Sequence, residues 1–331
     1  MARLRALAPF TVSALFVALA ACAPDEREPG PPADPLVHEI TDAEGRVRGW
    51  LFGTIHALPD GTQWRTPVID RVVNEAGMLM VEIADLENRD RIARTFDRLA
   101  TTPDLPPLPL RIAPAMRDEL AELMDKAGLS ESDTVRIETW AAALMLARAQ
   151  GAGSAENGVD RALIADFDGR PVREVEGARA QLSAFDRLAE TDQRDLLREV
   201  VAGAGDIGAD PAALRRAWLA GDEAALVQAG ESGILADQGL RQMLLIERNR
   251  DWLGPILREL DRGARPLVAV GAAHIVGPDG LAALIEQRGF RVRRLNRTGS
   301  MRMRAAAPPG HPGDPETARS AKRLANRMQA L

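Results

Sequence analysis

The chain has 331 residues, 46% of them hydrophobic, enough for one large folded body or two small ones with a real core. Its formal net charge is −6 with no basic block before the far C-terminus, which argues against nucleic acid as a partner. Tyr is absent and Lys126 and Lys322 are the only lysines, so a tyrosine acid is excluded and Schiff-base chemistry has hardly a candidate.

Arg3 and Arg5 precede an uncharged apolar stretch over residues 10–21. The stretch falls short of the ~20 residues of a spanning helix and has the size of a signal-peptide core. It ends Leu19-Ala20-Ala21-Cys22, which resembles the lipobox of lipoprotein precursors. Residues 1–21 then read as a cleaved leader and Cys22 as the lipidated residue; the competing reading is an ordinary signal peptide with an incidental Cys. Cys22 is the only cysteine, so neither a disulfide nor a thiol nucleophile is available. The expectation is a bacterial lipoprotein of the cell envelope, anchored to the membrane through Cys22 and facing the periplasm, with the choice of inner or outer membrane left open. Residues 22–35 are rich in Pro and charge and form an extended tether.

The folded body is expected over 36–297. It opens with a hairpin, 36–40 and 47–53 around Asp42-Ala43-Glu44-Gly45. Further strands are expected at 78–83, 171–175, 267–270 and 290–295, with helical patterns such as 115–127 and 137–150 between them. Strands separated by helices predict an α/β sheet, and the helical middle, about 87–262, is too long for simple crossovers and predicts a large helical insertion or cap. Residues 298–331 read as a disordered or amphipathic tail, with a basic helical face over 316–331 that suits an anionic membrane. His311 lies in that tail, and His38 in the first strand has packing as its expected role.

Two segments carry the chemistry. Each is an apolar strand followed by Gly-x-x-His and then Pro-Asp-Gly: Gly53-Thr54-Ile55-His56 with Pro59-Asp60-Gly61, and Gly271-Ala272-Ala273-His274 with Pro278-Asp279-Gly280. Gly lets the backbone turn as it leaves the sheet, and the His projects above the carboxyl edge of the strand, where open α/β sheets place their ligands. Two satisfied histidines in tight turns are the plainer alternative. Glu82 ends an apolar run and should emerge at the same edge, unless it is only a strand-end carboxylate in solvent. Glu176 follows the 171–175 strand, and a helix-start carboxylate explains it equally well. Arg248 interrupts the otherwise apolar i+4 row Leu240, Leu244, Trp252 and Ile256. A buried guanidinium there needs a carboxylate from protein or substrate; the alternative is an Arg that snorkels to the helix rim beside Asn249 and Pro255, and Pro255 should kink or end that helix.

These motifs, with Gly158-Val159-Asp160, Gly169-Arg170-Pro171-Val172 and Glu247-Arg248-Asn249-Arg250, resemble the TraB/PrgY/GumN family, which includes the Tiki metalloproteases. The resemblance covers about 36–296. It implies a mixed sheet flanked by helices, related to ChaN-like and erythromycin-esterase-like proteins. It also implies a site built from both Gly-x-x-His motifs and a Glu, with divalent metal and peptide hydrolysis in the Tiki branch. The resulting expectation is a metal-dependent hydrolase of peptide or amide bonds. His56, His274 and Glu82 would hold Mn, Co or Zn. Glu176 would shuttle the proton, Arg248 would clamp a substrate carboxylate or oxyanion, and Asn249 stands as a further site candidate. Two alternatives remain: a metal-free His/Glu hydrolase of the esterase type, and a non-catalytic lipoprotein that captures a peptide or small molecule. Gly203-Ala204-Gly205-Asp206-Ile207-Gly208 fits a dinucleotide fingerprint by letter but follows a helical pattern, so it reads as an interhelical loop.

Overall fold

Asp42 and Gly45 start the fold by closing a hairpin. The Asp42 carboxylate accepts the backbone N–H of Arg46 at 2.8 Å, and Gly45 takes φ +81°, the left-handed conformation such a turn favours. The hairpin joins β1 (Val37–Thr41) to β2 (Val47–Thr54) in a computed structural model that describes residues 32–150, 153–205, 211–297 and 301–302.

β3 (Met78–Val81), β4 (Val172–Glu174), β5 (Pro266–Gly271), β6 (Arg291–Leu295) and β7 (Met301–Arg302) complete a seven-stranded sheet of order β4-β3-β5-β2-β1-β6-β7. β4, β3, β5 and β2 run parallel, and β1, β6 and β7 extend the sheet antiparallel. The composition of each strand fits its place. Met78-Leu79-Met80-Val81 and Pro266 to Val270 are buried along their whole length, as central parallel strands covered on both faces must be, whereas β6 alternates exposed Arg291 and Arg293 with buried Val292 and Leu295.

Alternate side chains feed two cores. Trp50, Phe52, Leu79, Val81, Leu267 and Ala269 face the helices Pro67–Glu75 and Val159–Asp166. Leu51, Met78, Met80, Val268 and Val270 face Trp252, Ile256 and Leu260 of the helix Arg248–Asp261. A third cluster takes nothing from the sheet and is built from residues such as Leu120, Trp140, Leu146, Leu196, Val201 and Leu240. The stretch 87–262 does not stand apart from the sheet, because it also supplies β4, the helices Val159–Asp166 and Arg248–Asp261, and Trp218, whose Nε1–H donates to Gly53 O at 2.7 Å.

Pro255 neither ends nor marks the end of its helix: Arg248–Asp261 runs through it, following a π-helical segment, Gln242–Glu247. Proline removes a single donor, and the buried Trp252, Leu253, Ile256 and Leu260 hold the helix against the sheet on either side of it. Gly203 and Gly205 belong to the end of the helix Glu190–Gly205. The leader with Cys22, most of the tether, and the tail with His311 and the 316–331 pattern lie outside the described residues.

Candidate functional site

The two Gly-x-x-His motifs occupy neighbouring parallel strands. Gly53 pairs with Val270 and Thr54 with Gly271, so both chains leave the sheet at the same carboxyl edge and within one residue of each other. Neither glycine needs a positive φ, and Gly271 sits at φ −47°, ψ 135°. Their shared reason is proximity rather than the sharp turn expected from sequence. A Cβ on Gly53 would lie 3.1 Å from Ala272 Cα and Cβ of the second motif; a Cβ on Gly271 would lie 3.6 Å from His56 Nε2 of the first, 3.3 Å from Glu82 Oε1 and 3.6 Å from His274 Cδ2. Each glycine makes room for the other motif, and the floor of the site is bare backbone.

Both imidazoles are oriented from behind. His56 Nδ1–H donates to Asp160 Oδ2 at 2.7 Å, and Asp160 Oδ1 accepts the Thr54 hydroxyl at 2.7 Å. Gly158 lets that helix start close in, since a Cβ there would fall 2.5 Å from His56 O. On the other side His274 Nδ1 lies 2.7 Å from Asn249 Oδ1, and Asn249 Nδ2 donates to Asp279 O at 2.8 Å, which fixes the amide so that its oxygen must accept from the ring. Each ring therefore carries a proton on Nδ1, as second-layer oxygens impose on metal-binding histidines; His56 turns Nε2 toward Glu82, and His274 turns Nε2 toward Arg248. His56 Nε2 lies 4.0 Å from Glu82 Oε1. Trp252 covers His274 with its ring centroid 4.4 Å away.

Glu82 and Glu176 meet through Arg248. Glu82 Oε1 accepts from Gly271 N–H at 2.8 Å and its Oε2 from Arg248 Nη2 at 2.9 Å. Glu176 takes Arg248 Nε at 3.0 Å and Nη2 at 2.7 Å. Arg248 Nη1 faces Leu244 O at 3.1 Å and His274 Nε2 at 3.3 Å. All five N–H donors of the guanidinium are thus directed at protein acceptors. The buried Arg with carboxylate partners is as the apolar row implied, but it has no donor left for a substrate, so the clamp role gives way to a positioning one. Glu176 is likewise set apart: the cavity of about 200 Å³ at the site is lined by His56, Glu82, Asp160, Gly158, Arg161 and Gln181, among others, whereas Glu176 opens on a different one beside Arg91, Arg98 and Arg179. With Arg248 between it and the imidazoles, Glu176 is not placed to pass a proton to a substrate there.

The electrostatics separate the two rings. Desolvation of its enclosed edge lowers the His56 pKa, but the hydrogen bond and charge of Asp160, with Glu82 behind them, outweigh this and raise it to about 9, although the ring is 63% exposed. Burial, helped by the positive charges of Arg248 and His56 and opposed by Glu82, lowers His274 to about 3. Burial raises Glu82, yet the two imidazoles, Arg248 and the Gly271 N–H bring its pKa down to about 2. Burial raises Glu176 above the usual carboxylate range against the pull of Arg248.

Two imidazoles and an ionised carboxylate fit a divalent cation in kind, with His56 giving up its Nε2 proton, held up to about pH 9, to become a ligand. As they stand, no three His, Cys, Asp or Glu side chains among the described residues are arranged to hold a metal, and Arg248 occupies the approach to His274 Nε2.

Sequence reading found His56, His274, Glu82, Glu176, Arg248 and Asn249. It missed Asp160 and Thr54 as partners of His56, although Gly158-Val159-Asp160 had stood out as a motif. Comparison with curated proteins and with solved structures returned no match. The TraB/PrgY/gumN family model matches residues 36–294, which include both Gly-x-x-His motifs and every member of this cluster, and the chain belongs to the TraB/PrgY/gumN family.

Proposed function

We propose that the cluster is the active site of a metal-dependent hydrolase acting on an amide or ester bond, most simply in a peptide. The observation that carries this reading is the convergence of both imidazoles and Glu82 on Gly271, where a Cβ would lie 3.6 Å from His56 Nε2, 3.6 Å from His274 Cδ2 and 3.3 Å from Glu82 Oε1, beside a cavity that His56 and Glu82 line. Charge supports it as well. Glu82 and Glu176 share one guanidinium and Asp160 backs His56, so with the three carboxylates ionised and His56 neutral, as a metal ligand must be, the cluster is two charges negative, which a divalent cation matches. Mn, Co or Zn held by His56, His274 and Glu82 would acidify a water for attack on the scissile carbonyl. The chain's own residues do the rest. Asp160 and Asn249 hold the tautomers, Arg248 fixes Glu82 and Glu176 as a positioning residue, and Trp252 keeps water from the back of His274.

The test is metal analysis of the purified chain and of His56→Ala and His274→Ala, together with cleavage of a peptide library in Mn, Co or Zn. Bound metal and cleavage in the parent, both lost in either variant, support the proposal. Equal, negligible metal in all three with no metal-stimulated cleavage would remove it. A second reading is favoured by Arg248 Nη1, 3.3 Å from His274 Nε2, where it already supplies a cation. Here the His56–Asp160 pair would act without metal, and cleavage that survives chelation but not His56→Ala distinguishes it. Retention of a ligand without turnover would mark a capturing protein instead. We further propose that the body works tethered to an envelope membrane through lipid on Cys22, facing the periplasm, on the strength of Leu19-Ala20-Ala21-Cys22. Unchanged detergent partitioning in Cys22→Ser would refute the anchor.

A further inference from the structure

The site cavity shares a wall with a second one of about 420 Å³, lined by Leu58, Pro59, Trp64, Glu87, Ala162 and Ala165, among others; Gly158 and Arg161 line both. Arg161 follows Asp160 directly, so the helix that orients His56 also carries a guanidinium into the wall between the two spaces. The Arg161 side chain is 17% exposed, while that of its carboxylate partner, Glu87, is 76% exposed. Arg161 Nη2 is held separately by Leu86 O at 3.0 Å. A solvated glutamate on a half-enclosed Arg is a weak pair that another carboxylate can replace. The Leu86 bond would keep the fork in position during the exchange, and a guanidinium suits a carboxylate better than any other ligand class.

We propose that Arg161 is the subsite for a substrate carboxylate, taken up in exchange for Glu87. The substrate is then a peptide or acyl amino acid cut next to a free carboxyl end, with an apolar group lodged against Trp64 and Leu58. This rests on the reading that the reaction takes place at the His56–Glu82 cavity. It adds a direction to the bound chain: the scissile bond lies over Gly271, the carboxylate at Arg161 and the apolar group in the larger space beyond.

The test is binding, so that it does not depend on turnover. N-acetyl-alanyl-leucine and its C-terminal amide are titrated calorimetrically into the metal-stripped full-length chain in detergent. The acid should bind about 5-fold or more tightly than the amide, Arg161→Gln should bring the two within about 2-fold, and Glu87→Gln should tighten the acid alone. Glu87 is a surface residue, so E87Q keeps the test valid should R161Q fold poorly. Equal affinities in the parent chain, no binding of either probe up to about 10 mM, or a preference that E87Q leaves unmoved would overturn the proposal. A binding preference that behaves as expected, in a chain that cleaves nothing, sinks the hydrolase reading and leaves this subsite standing.

Discussion

Replacing Arg248 with Met removes every hydrogen bond recorded for the Glu176 carboxylate and one of the two on Glu82. Both carboxylates are nearly enclosed, with side chains 6% and 8% exposed. Breaking a buried pair from one side costs about 3–5 kcal/mol, because a charge is left without its counter-ion. The two glutamates should respond differently. Glu82 keeps the Gly271 N–H and its imidazoles, whereas Glu176, already raised by burial, has only protonation as an escape. The loss in R248M is therefore expected near the full value at pH 8 and smaller at pH 5, because a raised Glu176 protonates more readily as pH falls. In thermal terms it is a fall of order 10 °C for a chain of this size. Urea unfolding followed by tryptophan fluorescence at both pH values measures it, with R248M/E82Q/E176Q as a companion that should recover at least half of the loss. A cost below about 1 kcal/mol, no difference between the two pH values, or a triple variant no more stable than the single one would refute the argument.

Two further expectations concern the imidazoles and the glycines. In metal-stripped protein, NMR titration should place His56 near 9, and Asp160→Asn should lower it by a unit or more as a charged acceptor becomes neutral. A raised histidine stabilises fully below its ordinary 6.5 and loses that contribution as pH climbs through 9; after discounting for a ring 63% exposed, this is about 1 kcal/mol. His56 titrating at 6.5 or below in the parent chain would contradict the assignment. His274 and Glu82, both lowered, work in the opposite sense. Their stabilisation is present above 6.5 and 4.5 and fades as pH falls toward 3 and 2, so unfolding in acid should begin below pH 6.5. Gly271→Ala fits its backbone and should leave stability within about 1 kcal/mol while pushing on His56 and Glu82, so metal or ligand binding should fall at least about tenfold. Gly53→Ala meets the backbone of Ala272 and should cost about 1–3 kcal/mol. The opposite order of the two effects would overturn the assignment of the glycines to proximity.

Much of the fold lies in the sequence because the strands are short apolar runs bounded by turns. β1, β2, β3, β5 and β6 fall within a few residues of the expected positions, and the double Gly-x-x-His frame marks the sheet edge. Arg248 was legible for a different reason: a lone cation in an apolar i+4 row has to find a carboxylate. What periodicity cannot supply is pairing across the chain. The bond from His56 to Asp160 spans 104 positions, and the Gly158-Val159-Asp160 motif does not say which residue it meets. The available signal was indirect, a glycine followed by a buried acid at a helix start. Pro255 misleads for the converse reason, because local propensity says nothing of the sheet that holds the helix on both sides of it.

β5 is the last of the parallel strands to be made, yet it fills the slot between β2 and β3. Until residues 266–271 arrive, both of those strands present open edges, and His56 and Glu82 have neither their floor nor their second ring. A nascent or truncated chain ending before that point would be inert and prone to sticking by its bare strands. The chemistry proposed for the cluster would thereby be withheld until nearly all of the body has been synthesised, and a cut late in the chain would disarm it as surely as the loss of either imidazole.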